Sequence, residues 1–353
     1  MRHRAFPGRG PDIEARYQRA AQWLLAAIYH SEKAATWCKA NGVMLVKAAG
    51  ETIGSSGGFI VPTELANAIL DLRDYYGAFR RRARIVPMAS DTTSVPRRPG
   101  GTGASFVGEN NSSTETSANS DSINLTAKKI TSLVKLSSEL EDDAAVDMVD
   151  FVANEIALAF AAKEDDCAFN GNGTSGYGHM RGLGPIALDG AHNKAKVTAA
   201  TGHNTFALLD STDLTNLIGA VQASAIPNAA WFCSQTAFAT TICRLVAGGG
   251  GGVLETRNVD GIMTPFYLGF PVILSQKMPL VTTSLAGAMM MAFGDMYAGA
   301  ALGQRRAISL ARSEDRYLDQ DQIAILGTER FHANVHDLGD NTDFGALAVL
   351  VGG

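Results

Sequence analysis

The chain has 353 residues, of which 46% are hydrophobic and 18% charged, and a formal net charge of −5. The length exceeds one small core and suffices for two packed domains with extensions, while the negative balance argues against a protein whose main task is gripping nucleic acid. Charged residues fall below the usual share of about a quarter, which with 37 glycines points to surface covered by neighbours rather than left in water.

Cys38, Cys167, Cys233 and Cys243 form no C-x-x-C pair and no metal-ligand spacing, so buried free thiols in a reducing cytoplasm are expected. The N-terminus has arginines but no clean apolar stretch of a secretory leader. Elsewhere the apolar stretches break short of the ~18 residues that a membrane span needs.

In chain order, Ile13, Tyr17, Ala20, Trp23, Leu24, Ala27 and Ile28 recur at helical spacing and predict a helix or helix pair over 12–48. Gly50 to Gly58 reads as a break before the short apolar strand Phe59-Ile60-Val61, which Pro62 ends. A helix over about 63–82 places Leu65, Ile69 and Leu72 on one face.

Residues 88–136 differ from everything around them. Thr92–Pro96 is strand-like on one side, Ser122–Ala127 and Leu133–Leu136 on the other, with an apolar phase shift near Lys128-Lys129 that needs a bulge or bend. Between them, residues 100–120 are rich in Gly, Ser, Thr and Asn and hold almost no core-forming side chains. So long a polar excursion reads as a hairpin projecting from the body. A lone two-stranded ribbon is marginal in water and orders best on another molecule.

The next segment is the most helical. Ser138-Glu139-Leu140-Glu141 fits a capping box, and Asp142 and Asp143 suit the first turn. Ala145, Val149, Val152, Ile156 and Ala159 then repeat at three and four, and Asn170-Gly171 is the expected stop. About 28 residues at ~1.5 Å each span roughly 42 Å. Further on come a helix within 208–221, a buried strand at Ala230–Cys233, a helix over 234–246 and a strand near Pro271–Leu274. The C-terminal part returns to strands at Ala307–Leu310 and Gln322–Leu326.

These pieces, in this order, resemble the major capsid proteins of tailed bacteriophages with the Hong Kong 97-type (HK97-like) fold. The resemblance rests on Gly57-Gly58-Phe59-Ile60-Val61-Pro62, Ile85-Val86-Pro87-Met88, Phe106-Val107-Gly108-Glu109, Leu133 to Leu140 and Phe169 to Thr174. Near the C-terminus it rests on Phe293-Gly294-Asp295, Arg305-Arg306 and Glu329-Arg330-Phe331. It implies an α+β capsid fold: a helical N-terminal arm (1–58), a first part of a peripheral domain (59–87) and an extended β-hairpin loop lying across a neighbour (88–136). The peripheral domain then continues with a long spine helix (137–189). An axial domain (190–300) and C-terminal strands returning to the peripheral domain (301–353) complete it.

The resemblance also implies a structural role: self-assembly into pentamers and hexamers of an icosahedral shell that encloses double-stranded DNA. The implied partners are other copies of the chain, non-specifically held DNA on the inner face, a portal protein, and a scaffold or decoration (cement) protein. No cofactor, metal or membrane is implied, and the place is a virion capsid assembled in the host bacterial cytoplasm. Within the fold the alternative is an encapsulin-like protein-storage shell. Outside it, the alternative is an enzyme with an unrecognised site.

Subunit-contact candidates are Arg80, Arg81, Arg82 and Arg84, the densest positive charge, with Glu139, Glu141, Asp142, Asp143, Glu164, Asp165 and Asp166 as partners across subunits. Phe106 and Glu109 on the loop join them. Arginine forks pair well with carboxylates at interfaces; a solvated helix end explains the cluster equally, and DNA contact ranks third. Hinge candidates are Gly57, Gly58, Gly100, Gly101 and Gly103. Some family members lock subunits through a loop lysine, and residues 100–121 contain none, so a non-covalent shell is expected.

Strings that look catalytic fail on context. Gly54-Ser55-Ser56-Gly57-Gly58 lacks the strand-to-helix turn of a nucleophile elbow, and Gly248 to Gly252 lacks the Lys-Ser/Thr of a phosphate loop. His332 and His336 are four apart in strand-like sequence with no third ligand, while His3, His30, His179, His192 and His203 are scattered.

Overall fold

The structure is a computed structural model that describes residues 19, 22, 26, 32–42, 73, 76–97, 121–137, 141–248, 253–259, 262–280, 283–317 and 322–353. A four-stranded sheet has the order β1 (Arg84–Pro87), β11 (Ala300–Tyr317), β12 (Gln322–Val335), β4 (Lys128–Ser137). Seven strands form the larger sheet: β5 (Lys196–Thr198), β13 (Leu347–Val351), β10 (Met289–Gly294), β6 (Ala230–Cys233), β9 (Phe270–Leu274), β8 (Ile262–Tyr267) and β7 (Leu254–Val259). β2 (Thr92–Arg97) and β3 (Asp121–Thr126) make a separate two-stranded ribbon. The helices that matter here are α1 (Glu32–Ala40), α2 (Glu141–Asn170) and α3 (Ser211–Gly219).

The central strands of the larger sheet are buried on both faces, and their alternation sorts side chains into two cores. Ala230 and Phe232 enter the first core, Trp231 and Cys233 the second. Leu347, Val349 and Val351 enter the first, Ala348 and Leu350 the second. A register shift between Met289 and Met291 puts Met290 and Met291 in the same core, as a bulge does. α3 closes the second core with Leu214 and Leu217. There the Trp231 ring packs at a 50° tilt with its centroid 4.5 Å from that of Phe293, and Nε1 donates to the Tyr267 carbonyl at 3.1 Å. The first core is the joint between the two sheets: Phe169 of α2, Leu302 of β11 and Phe331 of β12 meet Phe232 and Ala292 there.

The spine helix α2 runs unbroken for 30 residues and stops where expected. A Cβ on Gly171 would lie 2.4 Å from the Cys167 carbonyl oxygen, so only glycine fits the turn that follows.

Other expectations change. Of the helix over 63–82, Arg73 and Tyr76 are helical and residues 78–82 form a turn. Asp165 draws the chain out of the helix by accepting the N–H groups of Ala78 and Phe79 at 3.2 and 2.9 Å. The ribbon runs from Thr92↔Thr126 to Arg97↔Asp121 and ends at Ala127, whose N–H goes to the Asp91 carbonyl. Residues 128–137 leave it and pair along β12 from Lys128↔Phe331 to Ser137↔Gln322, so the extended loop gives up its last strand to the four-stranded sheet. The helix over 234–246 is interrupted by a π turn at Phe238–Cys243.

The last strand does not return with β11 and β12. Leu347-Ala348-Val349-Leu350-Val351 is apolar at every position and needs cover on both faces, which a place inside the larger sheet supplies between edge strand β5 and β10. At the N-terminus, residues 19, 22 and 26 and α1 are helical. α1 stops at Ala40 and Asn41-Gly42 form a turn, while the other residues of the helix read over 12–48, the strand Phe59-Ile60-Val61 and the polar stretch 100–120 lie outside the described residues.

Gly294 has a φ of 136°, and a Cβ there would meet the Ala346 carbonyl oxygen at 2.1 Å. Gly294→Ala is expected to disrupt the β10–β13 pairing and cost on the order of 3 kcal/mol or more. The measurement is a lowered denaturant midpoint at unchanged slope.

Candidate functional site

Arg80 is 3% exposed. Its guanidinium forks onto Glu164 of α2, Nε to Oε2 at 2.8 Å and Nη2 to Oε1 at 2.5 Å, and Nη1 reaches the Gln304 side-chain oxygen at 3.0 Å. Arg73 enters the same centre, bonding Glu329 of β12 and lying 3.9 Å from Glu164. Asp165, next along α2, accepts the Ser275 hydroxyl at 2.7 Å in addition to the two backbone N–H groups. One buried knot therefore ties the 73–80 segment, the spine helix, β12 and the chain after β9. Burial, with Glu164 close by, pushes the Glu329 carboxyl up to about 7 although both arginines pull it down. Burial raises Asp165 as well.

This corrects the reading of Arg80 as a subunit contact. Its partner is Glu164 of its own chain, and Glu164 and Asp165 are buried with it, so none of the three faces a neighbour. Arg81 and Arg84 are exposed and Arg82 is half-buried; Arg81 donates from Nε to the Gly77 carbonyl at 3.0 Å. Glu141, Asp142 and Asp143 open α2. Glu139, Phe106, Glu109, Gly57, Gly58, Gly100, Gly101 and Gly103 lie outside the described residues. The pairing of Arg73 with Glu329 has no sequence signal, since 256 positions separate them.

A second polar cluster lies at the ribbon's base. Arg97 grips Asp121 through Nε at 3.1 Å and Nη2 at 2.9 Å, and its Nη1 donates to the His336 carbonyl. Asp91 accepts from Arg305 and, at 3.0 Å, from Arg330. His179 and His192, which read as scattered, line one cleft of about 430 Å³ together with His332 and His336. His332 lies on β12 and His336 just past it. Four strand positions at ~3.4 Å each put their backbones roughly 14 Å apart, too far for a shared ion.

Among the described residues, His203, Asp210 and Asp213 have ligand atoms within 4.8 Å of one another. These groups form a reciprocal cap at the start of α3: Asp213 accepts the Ala200 and Asp210 N–H groups and stands 2.6 Å from His203 Nδ1. Cys38, Cys167 and Cys233 are buried free thiols and Cys243 is half-buried. Burial pushes the Cys167 thiol up to about 11, away from a thiolate nucleophile. Among the described residues no helix is long and apolar enough to cross a membrane.

Residues 57–338 match the model of the phage capsid family. Over 130 residues the chain is 31% identical to the major capsid protein of Klebsiella oxytoca phage phiKO2, a match covering 36% of this chain and 30% of that protein. Among solved structures, the capsid of an empty GTA particle superposes with a TM-score of 0.57 at 21% identity, covering 89% of this chain and 97% of that one. The holo-SrpI encapsulin complex from Synechococcus elongatus PCC 7942 gives 0.51 at 13% identity, over 87% and 95%. At such identities these two structures speak for the fold alone.

Arg80→Met leaves Glu164 buried without its fork and is expected to cost about 3–5 kcal/mol, read from the denaturant midpoint. A second expectation concerns pH. The unfolded chain releases the Glu329 proton near 4.5 and the folded chain only near 7. The stability contributed by this group is thus complete below about 4.5 and is lost as pH rises through about 7. Glu329→Gln cannot ionise and should flatten the fall of unfolding free energy between about pH 5 and 7; an unchanged slope contradicts the assignment.

Proposed function

The chain belongs to the phage capsid family, and from that premise we propose that it is a structural major capsid protein whose copies build a closed icosahedral shell. The family match across residues 57–338 carries the reading. In this proposal copies of the chain form pentamers and hexamers, and the ribbon at 92–126 and the N-terminal arm overlap neighbouring subunits. Double-stranded DNA, a portal protein and a scaffold or cement protein are the further partners. Symmetry repeats each weak contact many times, so modest interfaces sum to a stable particle.

Surface chemistry supports this. One face of the ribbon buries Val95, Ile123 and Leu125 on the body, while Ser94 and Asn124 on the other are exposed. Leu158 on the spine helix and Leu280 are 45% and 49% exposed and flank a groove of about 660 Å³, apolar area that a neighbour would cover. In this proposal Arg81, Arg82 and Arg84, at the surface or half-buried, pair with carboxylates of an adjacent copy.

Electron microscopy of the purified full-length chain is expected to show closed shells of uniform diameter that contain nucleic acid when recovered from an infected host. A monodisperse monomer at every concentration overturns the proposal. Shells filled with protein cargo and free of nucleic acid would replace the DNA reading with the storage-shell one.

A further inference from the structure

The cleft beneath the ribbon contains groups that shell-building does not use. β12 and the residue after it present every second side chain to this cleft, and at His332, Asn334 and His336 a buried atom (Nδ1, Oδ1 and Nδ1) has no hydrogen-bond partner. A metal does not fit, because the strand holds the two imidazoles apart. An oxyanion is poorly served as well: the two arginines that line the cleft are already answered, Arg97 by Asp121 and Arg181 by Asp189. The ligand that fits is the proton.

Both histidines are attached to the ribbon. The ring of His332 is hydrogen-bonded to the main chain of Thr126, the last residue of β3. The carbonyl of His336 receives Nη1 of Arg97, the last residue of β2. Beyond these two contacts the ribbon is held by a small cluster, Val95, Ile123 and Leu125 against Met88 and Ala301, and by the Asp91 pairs. Burial, then Arg97 and Arg84, lower His336 to about 4. Burial also lowers His332, with Lys128 assisting and the Thr126 bond opposing.

We propose that the base of the ribbon is a proton-sensitive latch, docked while His332 and His336 are neutral and released when they take up protons. The groups facing the two rings come from every element around them. β1 brings Arg84, β4 brings Lys128, and the ribbon brings Arg97 and Asp121. The loop before β5 brings His179, Arg181 and His192, and Asp337 follows in the chain. A proton on either ring adds positive charge beside Arg84, Arg97 or Lys128, where its Nδ1–H has no acceptor. Asp121 does not supply the switch: the Ser122 N–H and Arg97 hold it below the usual carboxylate range, so it stays ionised while the histidines titrate.

The sign follows from linkage. A histidine whose pKa is lowered by docking stabilises the docked state above about 6.5, and that contribution is lost as pH falls towards about 4. Opening therefore grows by up to about tenfold per pH unit for each ring. Hydrogen exchange of the whole protein at about pH 7.5 and about pH 5, corrected for intrinsic rates, reads it directly.

Protection of residues 92–97 and 121–126 is expected to drop at least about tenfold on acidification, while β6 and β10 keep theirs. The double variant His332→Gln/His336→Gln should retain the ribbon's protection at the higher pH and lose its acid dependence. An equal drop in the double variant, or none in the wild type, overturns the latch. Should the double variant lose protection in β6 and β10 as well, exchange at the histidine C2 position of the wild type decides. Rings titrating near an ordinary ~6.5 sink the proposal, and depressed titrations support it.

Discussion

Arg73 and Arg80 meet Glu164 and Glu329 in the joint between the two sheets, at side chains that are almost wholly buried. A charge in that position is tolerable only with its partner in place, so the knot specifies one arrangement of the elements that bring it together. α2 supplies Glu164 and Asp165, β12 supplies Glu329, helical Arg73 supplies one guanidinium and Arg80, in the turn at 78–82, the other. With Asp165 holding the backbone of Ala78 and Phe79, the chain is directed from the turn into β1. Burial, with Glu164 beside it, is what raises the Glu329 carboxyl above the usual carboxylate range.

Around that knot the hydrophobic packing is divided by the larger sheet. Strict alternation along β6 and β13 sends neighbouring residues to opposite cores, so a one-residue slip would exchange every contact at once. The bulge in β10 is the local exception and keeps two methionines on one side. The first core, shared by Phe169, Phe232 and Phe331, makes the two sheets one body although their strands come from distant parts of the chain. The boundary read at residue 300 is therefore a chain crossing and not a break in packing: β13 lies on one side of it in sequence and on the other in space.

The ribbon stands apart from both sheets. It leans on the body through one small apolar cluster and several polar contacts, and contributes to neither main core. An element attached so lightly suits a part that engages another subunit. It also explains why the chemistry beneath it, two imidazoles that each keep a buried Nδ1 without a partner, can influence its docking without disturbing the rest of the fold.

Periodic features were legible from residue order alone. The 3.6-residue repeat from Ala145 to Ala159 marks the spine helix, Asn170-Gly171 its end, and the alternation on either side of the polar stretch the ribbon strands Thr92–Pro96 and Ser122–Ala127. Each is a local pattern, in which a residue's near neighbours already dictate backbone geometry. Tertiary structure alone decided the rest: which sheet takes β4, that β13 inserts between β5 and β10, that Arg80 turns inward to Glu164, and that His179, His192, His332 and His336 share a cleft. Pairing between residues far apart in sequence leaves no spacing to read. A charged side chain such as Arg80 looks the same in a linear sequence whether water or a buried carboxylate receives it, and only the packed fold determines which.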